Sequence, residues 1–289
     1  MAYPVVSAPY GLKPINEIGG LPYAGSTRMF PIATGYASNI FFGDIVQLSA
    51  GSIVVGSYTP ASSPTTPIAG TIGVFVGCEY TNPSTNQRIR AQYWPTGTVA
   101  QDAIAYVVDD PRTVFKAVVG SQATTSLSAT SSGLGAMSQG FVGTNVYPLN
   151  GTAGSTLTGN SAIAVSGGVV TNGTGNVRVT AAAPLRVVGL VKETEQVVGA
   201  VGSTSGSSTT VTLTAANSNV KAGMQLICPT GTGSLAGNFI TVTNVNSTTL
   251  TVSSAVTLAS GSVLTFVGAS EVLVTWNGNF HSYNNTTGV

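Results

Sequence analysis

Asp109 and Asp110 form the chain's only adjacent aspartate pair. Neighbouring carboxylates can share a proton or bind a hard cation. Pro111 follows directly, and Asp-Asp-Pro is also a turn signal, because Asp accepts local backbone hydrogen bonds and Pro presets φ. The turn is the reading taken here, since a hard cation wants several converging oxygens and no EF-hand-type acidic loop is present. His281 is the sole histidine and sits among Asn and Tyr. No GxSxG elbow or other nucleophile in a recognisable context accompanies it. One His and two distant cysteines, Cys78 and Cys228, do not make a zinc ligand set. Gly231 to Gly237 (GTGSLAG) lacks the GxGxxG spacing, the Walker lysine and a following helix, and reads as a strand connector. Arg88, Arg90 and Trp94 fall on one face of a strand candidate with Tyr93 on the other, the ingredients of a base-stacking platform. In a near-neutral chain the arginines read more simply as cross-strand partners of Glu79 or Asp102. The expectation is therefore a protein that is not an enzyme, with no catalytic, cofactor-binding or metal-binding residues and no cofactor.

Several of these residues fall in Gln87 to Val119, the stretch around which the chain is organised. Arg88 to Trp94, Ile104 to Val108 and Thr113 to Val118 are strand candidates, rich in β-branched and aromatic residues. The turn at Asp109-Asp110-Pro111 between the last two predicts a hairpin or meander, the nucleus of an antiparallel body.

Composition sets the class. Charged residues make up 7% of the chain, against roughly 25% in an ordinary soluble domain. Lys plus Arg is 10 and Asp plus Glu is 9, a formal net charge of +1. Such a chain has no electrostatic footprint for nucleic acid or anionic lipid, so neither a nucleic acid nor a membrane is expected as a partner. Solubility must come from Ser, Thr, Asn and Gly, or from assembly into something larger. Glycine numbers 36 and proline 14, and no long segment repeats apolar residues at helical spacing. The expectation is all-β: an antiparallel body, barrel or sandwich, with an extended N-terminal arm and an inserted small β module. No signal peptide and no membrane-length apolar run are visible. Both cysteines are expected to be buried free thiols in different domains.

Residues 1–35 read as the arm. Prolines at 4, 9, 14, 22 and 31 exclude an interior strand or helix. Val5, Leu12, Ile15, Ile18 and Leu21 nevertheless need a surface to lie on, either a neighbouring subunit or the arm's own domain. The body is assigned to 36–195 plus 270–289. Within it, 120–180 is an almost uncharged excursion that resists placement beyond a small β lobe. Residues 196–269 contain a single charge, Lys221, and alternate short strands with Gly/Ser/Asn turns. They read as an inserted sandwich-like module or open barrel. Leu185 to Val191 and Val272 to Trp276 match in character and would pair across the insertion, a position where insertions are tolerated.

The block APYGLKPINEIGGLPYAGSTRMFPIATGYASNIFFGDIVQL, with AIAYVVDDPRTVFKA and PLRVVGLV, resembles virion structural proteins of tailed phages, particularly marine ones. The resemblance covers about residues 8–118, 184–192 and the final strand, while 196–269 resembles small β modules inserted in phage structural proteins. It implies a head decoration or cement protein on the capsid exterior, made in the host cytoplasm. The implied partners are the major capsid protein and further copies of itself, a trimer by analogy. The alternative is a tail, fibre or knob component that contacts the host surface through the inserted module. No catalytic residue is implied.

Overall fold

The computed structural model describes residues 6, 8–56, 71–122, 131–134, 137, 139–150, 154–166, 170–171, 176–177, 183–194, 197–227 and 240–284. The first strands are β1 (Lys13–Glu17), β2 (Arg28–Pro31), β3 (Ile45–Ser49), β4 (Ser52–Val55), β5 (Thr71–Thr81), β6 (Arg88–Ala91), β7 (Ile104–Val108) and β8 (Thr113–Gln122). They are followed by β9 (Ser131–Leu134), β10 (Asn145–Val146), β11 (Pro148–Asn150), β12 (Ile163–Ser166), β13 (Val170–Thr171), β14 (Asn176–Val177) and β15 (Leu185–Leu190). Then come β16 (Val197–Ser203), β17 (Ser207–Leu213), β18 (Gln225–Ile227), β19 (Ile240–Asn246), β20 (Thr249–Thr257), β21 (Ser262–Val267) and β22 (Glu271–Trp276). Among the described residues helix is confined to short 3-10 turns, and the fold is all-β. Among the described residues no helix is long and apolar enough to cross a membrane.

A six-stranded sheet runs β2-β7-β5-β3-β4, with β6 added beside β5. A parallel bridge between Ile32 and Ile53 joins the two ends of this path, and the sheet curls into a nearly closed barrel. Its interior holds Ile40, Val46, Phe75, Trp94, Ala105 and Val107. β5 reads as an almost unbroken apolar run because it is covered on both sides. Ile72 and Phe75 enter this interior, while Val74 and Val76 reach a second core.

The second core lies under an eight-stranded sheet ordered β10-β15-β22-β8-β12-β11, with β1 and β9 also on β8. β8 is long enough to serve two sets of neighbours. Its first half lies between β1 and β22, and its second half pairs with β12, in parallel, and with β9. The hairpin expected at 104–118 does not form. β7 pairs with β2 and β5, whereas β8 pairs with β1 and β22. The turn at 109–112 carries the chain from one sheet to the other. The turn chemistry is as expected, with Asp110 accepting from the Arg112 N–H at 2.8 Å and its carbonyl from Thr113. A turn, however, does not choose its strands' partners. Nor do the described parts of 120–180 form a separate lobe: Met137, Val146, Ile163 and Val165 are buried in the second core.

β15 and β22 pair antiparallel, Leu185 opposite Trp276 and Leu190 opposite Val272. Between them the chain leaves at Thr194 and returns at Glu271, whose N–H bonds the Thr194 hydroxyl at 3.1 Å. The intervening strands close in the order β16-β17-β20-β19-β18-β21, with β21 back on β16. This is a closed barrel, where a sandwich-like module or open barrel was expected. β20 shows why the sequence supports it: Leu250 and Val252 point inward while Thr249, Thr251 and Ser253 face out. Leu226, Val242, Leu264 and Phe266 complete the interior. Closure removes the free edges that an uncharged sheet would expose to aggregation.

Candidate interaction surface

The N-terminal segment is the element with the most distinctive geometry. Its described residues lie on their own body. β1 adds to β8, with Lys13 opposite Lys116 and Glu17 opposite Thr113, and β2 adds to β7. Pro14 and Pro31 are accommodated because β2 ends its sheet path and β1 sits beside only part of β8. Just before β1 the backbone passes so close to Gly43 that Leu12 N–H bonds the Gly43 carbonyl at 3.0 Å and Gly11 N–H bonds Ile163 at 3.1 Å. A Cβ at Gly11 would stand 2.8 Å from Gly43 Cα, so both positions need glycine for this approach. Leu12 thereby enters the core at 0% exposure.

Tyr10 fixes the same segment to the opposite strand. Its hydroxyl donates to Glu271, and Lys116 Nζ lies 3.1 Å from the same carboxylate. The Lys13 ammonium sits 4.2 Å from the Tyr10 ring centroid. Burial, with the adjacent Glu271 charge, pushes the Tyr10 phenol well above its ordinary pKa. Lys13, Lys116 and Glu271 thus gather around Tyr10 and anchor the segment.

Beyond the anchor the chain forms a small hairpin. Glu17 N–H bonds the Leu21 carbonyl at 2.8 Å across a tip in which Gly19 and Gly20 both take positive φ, and Asn16 bridges Pro22. Ile15, Ile18 and Leu21 are 39%, 49% and 59% exposed on it, and Met29 of the neighbouring β2 is 63% exposed. The segment therefore divides its apolar residues: Leu12 is buried in the body and Tyr23 and Phe30 pack on its cores, whereas Ile15, Ile18, Leu21 and Met29 are presented to solvent; Val5 lies outside the described residues. The sequence singled out these residues as needing a surface, but not which of them the body itself would cover.

The other chemistry-bearing residues go elsewhere. Trp94 is fully buried against Tyr80, ring centroids 5.1 Å apart, and Tyr93 stacks on Phe41 at 5.6 Å. Neither ring is presented beside the arginines, so the stacking platform does not assemble. Arg88 and Arg90 both pair with Glu79, Arg90 at 3.1 Å, and Tyr106 donates to the same carboxylate at 2.6 Å. These contacts, Tyr106 foremost, hold the Glu79 carboxyl down at about 2. Asp102 binds the Thr81 hydroxyl and N–H. Asp109 pairs with Arg28 at 3.0 Å and accepts from the Tyr283 hydroxyl. His281 is buried between Trp276 and Tyr283. Cys78 is a buried free thiol, its pKa pushed up to about 12 by desolvation. Cys228 and Gly231 to Gly237 lie outside the described residues. Among the described residues no group of His, Cys, Asp and Glu gathers into a metal-binding set. On the barrel, a shallow cavity of about 420 Å³ is lined by Ala216, Asn217, Val220, Lys221 and Val245 among others.

Fold and surface together define an all-β protein with a tethered, partly apolar N-terminal hairpin and an appended closed barrel. Compared with known proteins, the chain matches no family model, no curated protein and no solved structure at a significant level.

Proposed function

We propose that the chain is a decoration (cement) protein of a tailed-phage head, binding the outer shell and neighbouring copies of itself, and acting by contact rather than by catalysis. The observation that carries the reading is the hairpin. Its backbone is fixed to the body, yet Ile15, Ile18 and Leu21 stay in contact with water. Burying such side chains on docking is worth roughly 25 cal/mol per Å² of apolar surface. A fixed backbone avoids the ordering cost a free tail would incur. The segments resembling phage virion proteins include this hairpin. Many weak contacts of this kind, repeated over a lattice, add through effective concentration.

A second reading places the chain on a tail or fibre, where the barrel would meet the host surface. The barrel cavity beside Lys221, the one formal charge in residues 196–269, favours it. Immunogold labelling of virions with an antibody against residues 197–267 separates the two. Label on heads is the expected result, label confined to tails moves the protein to the second reading, and particles without label overturn both. On the head reading, Ile18→Ser with Leu21→Ser lowers occupancy on the shell while the purified protein stays folded.

A further inference from the structure

The chain's single histidine is not used by the proposed docking surface, and its surroundings are specific. His281 lies between the 3-10 turns Gly278–Phe280 and Ser282–Asn284, which cap the body after β22. It is 0% exposed. The Trp276 ring stands 5.6 Å away at 65° and the Tyr283 ring 5.0 Å away at 62°. Nδ1 accepts the Tyr283 backbone N–H at 3.3 Å, so Nδ1 carries no proton and Nε2 does. Nε2 is buried without a partner at hydrogen-bonding geometry. From its own cap, Tyr283 then reaches Asp109 with its hydroxyl, and Arg28 lies over the Tyr283 ring at 5.2 Å while pairing with Asp109 at 3.0 Å. The cap thus ties together β2, the 109–112 turn and the C-terminal segment, and its second turn packs on β5.

We propose that His281 is an acid-sensitive latch: protonating it releases the cap 278–284 and, with it, the hold of Tyr283 on Asp109 and Arg28. The proton comes from solvent and can go only to Nδ1. An Nδ1–H would then point at the Tyr283 N–H, two donors head to head, so the bond that seats the imidazole is lost. The cation would also be sealed from water between two aromatic rings. The groups facing it do not supply a full counter-charge. Asp109 is already paired with Arg28, and among the described residues neither Asp109 nor Asp110 forms an ion pair with the imidazole. Desolvation is the largest effect and lowers the imidazole pKa below its ordinary 6.5, although the backbone groups of Ile72 and Asp109 and the charges of Asp109 and Asp110 favour the charged form. The sign follows. The released cap binds a proton near 6.5 and the closed cap only at lower pH, so closure is complete above 6.5 and is lost as pH falls beneath it. Because Arg28 belongs to β2, opening also loosens the strand that carries Met29.

The test uses the full chain. A sole histidine gives a single imidazole Hε1 resonance, which is titrated by NMR from pH 8 to pH 5. Hydrogen exchange of residues 277–284 is measured over the same range and corrected for the intrinsic rate. Protection that is constant above about pH 6.5 and falls by up to about tenfold per pH unit below it is expected. His281→Gln, which keeps an acceptor for the Tyr283 N–H but cannot charge, should make protection independent of pH. An imidazole titrating at its ordinary value with unchanged protection overturns the latch, as does identical pH dependence in the variant. If the variant does not fold, the wild-type titration decides alone.

Discussion

Leu12→Ala tests whether the N-terminal segment is part of the body's fold. Leu12 is 0% exposed and packs in the core that contains Phe115, Val187, Val274 and Trp276. Truncating a fully buried leucine costs about 2–5 kcal/mol, depending on how far the cavity collapses. Collapse is restricted here, because the neighbouring Gly11 and Gly43 backbones are already in contact and bonded. The loss should therefore lie in the upper part of that range, about 3–5 kcal/mol. Urea unfolding followed by tryptophan fluorescence reads the right unit. Both tryptophans, Trp94 and Trp276, lie in the body, and residues 197–267 contain none. Ile18→Ser is the matched control: on the exposed hairpin it should stay within about 0.5 kcal/mol of wild type. A loss below about 1 kcal/mol for Leu12→Ala, no larger than an ordinary point substitution, would refute the claim that the segment is built into the core.

Further expectations concern the sheet surface and the barrel. Tyr106→Phe removes the hydroxyl that contributes most to the low Glu79 pKa, so the carboxyl, now at about 2, should titrate closer to 4.5. Carbonyl-detected NMR reads this directly, and an unmoved titration refutes the assignment. Because the folded-state value is depressed, the Glu79 contribution is present above about pH 4.5 and lost as pH falls toward 2. Replacing residues 197–267 by a short Gly/Ser turn should leave a soluble β-rich body, since β15 and β22 pair directly and Thr194 meets Glu271. Loss of soluble protein on excision would show that the barrel is needed for the body to fold.

Strand content was readable from the chain alone. Glycine, proline and β-branched residues leave no helical periodicity, and β20 alternates inward Leu250 and Val252 with outward threonines as a half-buried strand must. The pairing of 185–190 with 271–276 was readable too, because both segments share a composition that the uncharged residues between them lack. So was Asp109-Asp110-Pro111 as a turn. Strand partners were not. β7 and β8 are joined by a short turn yet belong to different sheets, β7 pairing with β5 and β8 with β22 from distant sequence. The fate of individual apolar residues was equally hidden. Leu12 and Ile15 look alike in the chain, but only one meets the gap beside Gly43. Trp94 looked available for stacking until Tyr80 and Ile40 closed over it, and nothing among the Asn and Tyr around His281 in sequence announced its enclosure by Trp276 and Tyr283. Periodicity and turn chemistry act over a few residues and are written into the local sequence. Pairing, burial and the environment of a titrating group depend on which distant surfaces meet, and only the folded chain decides that.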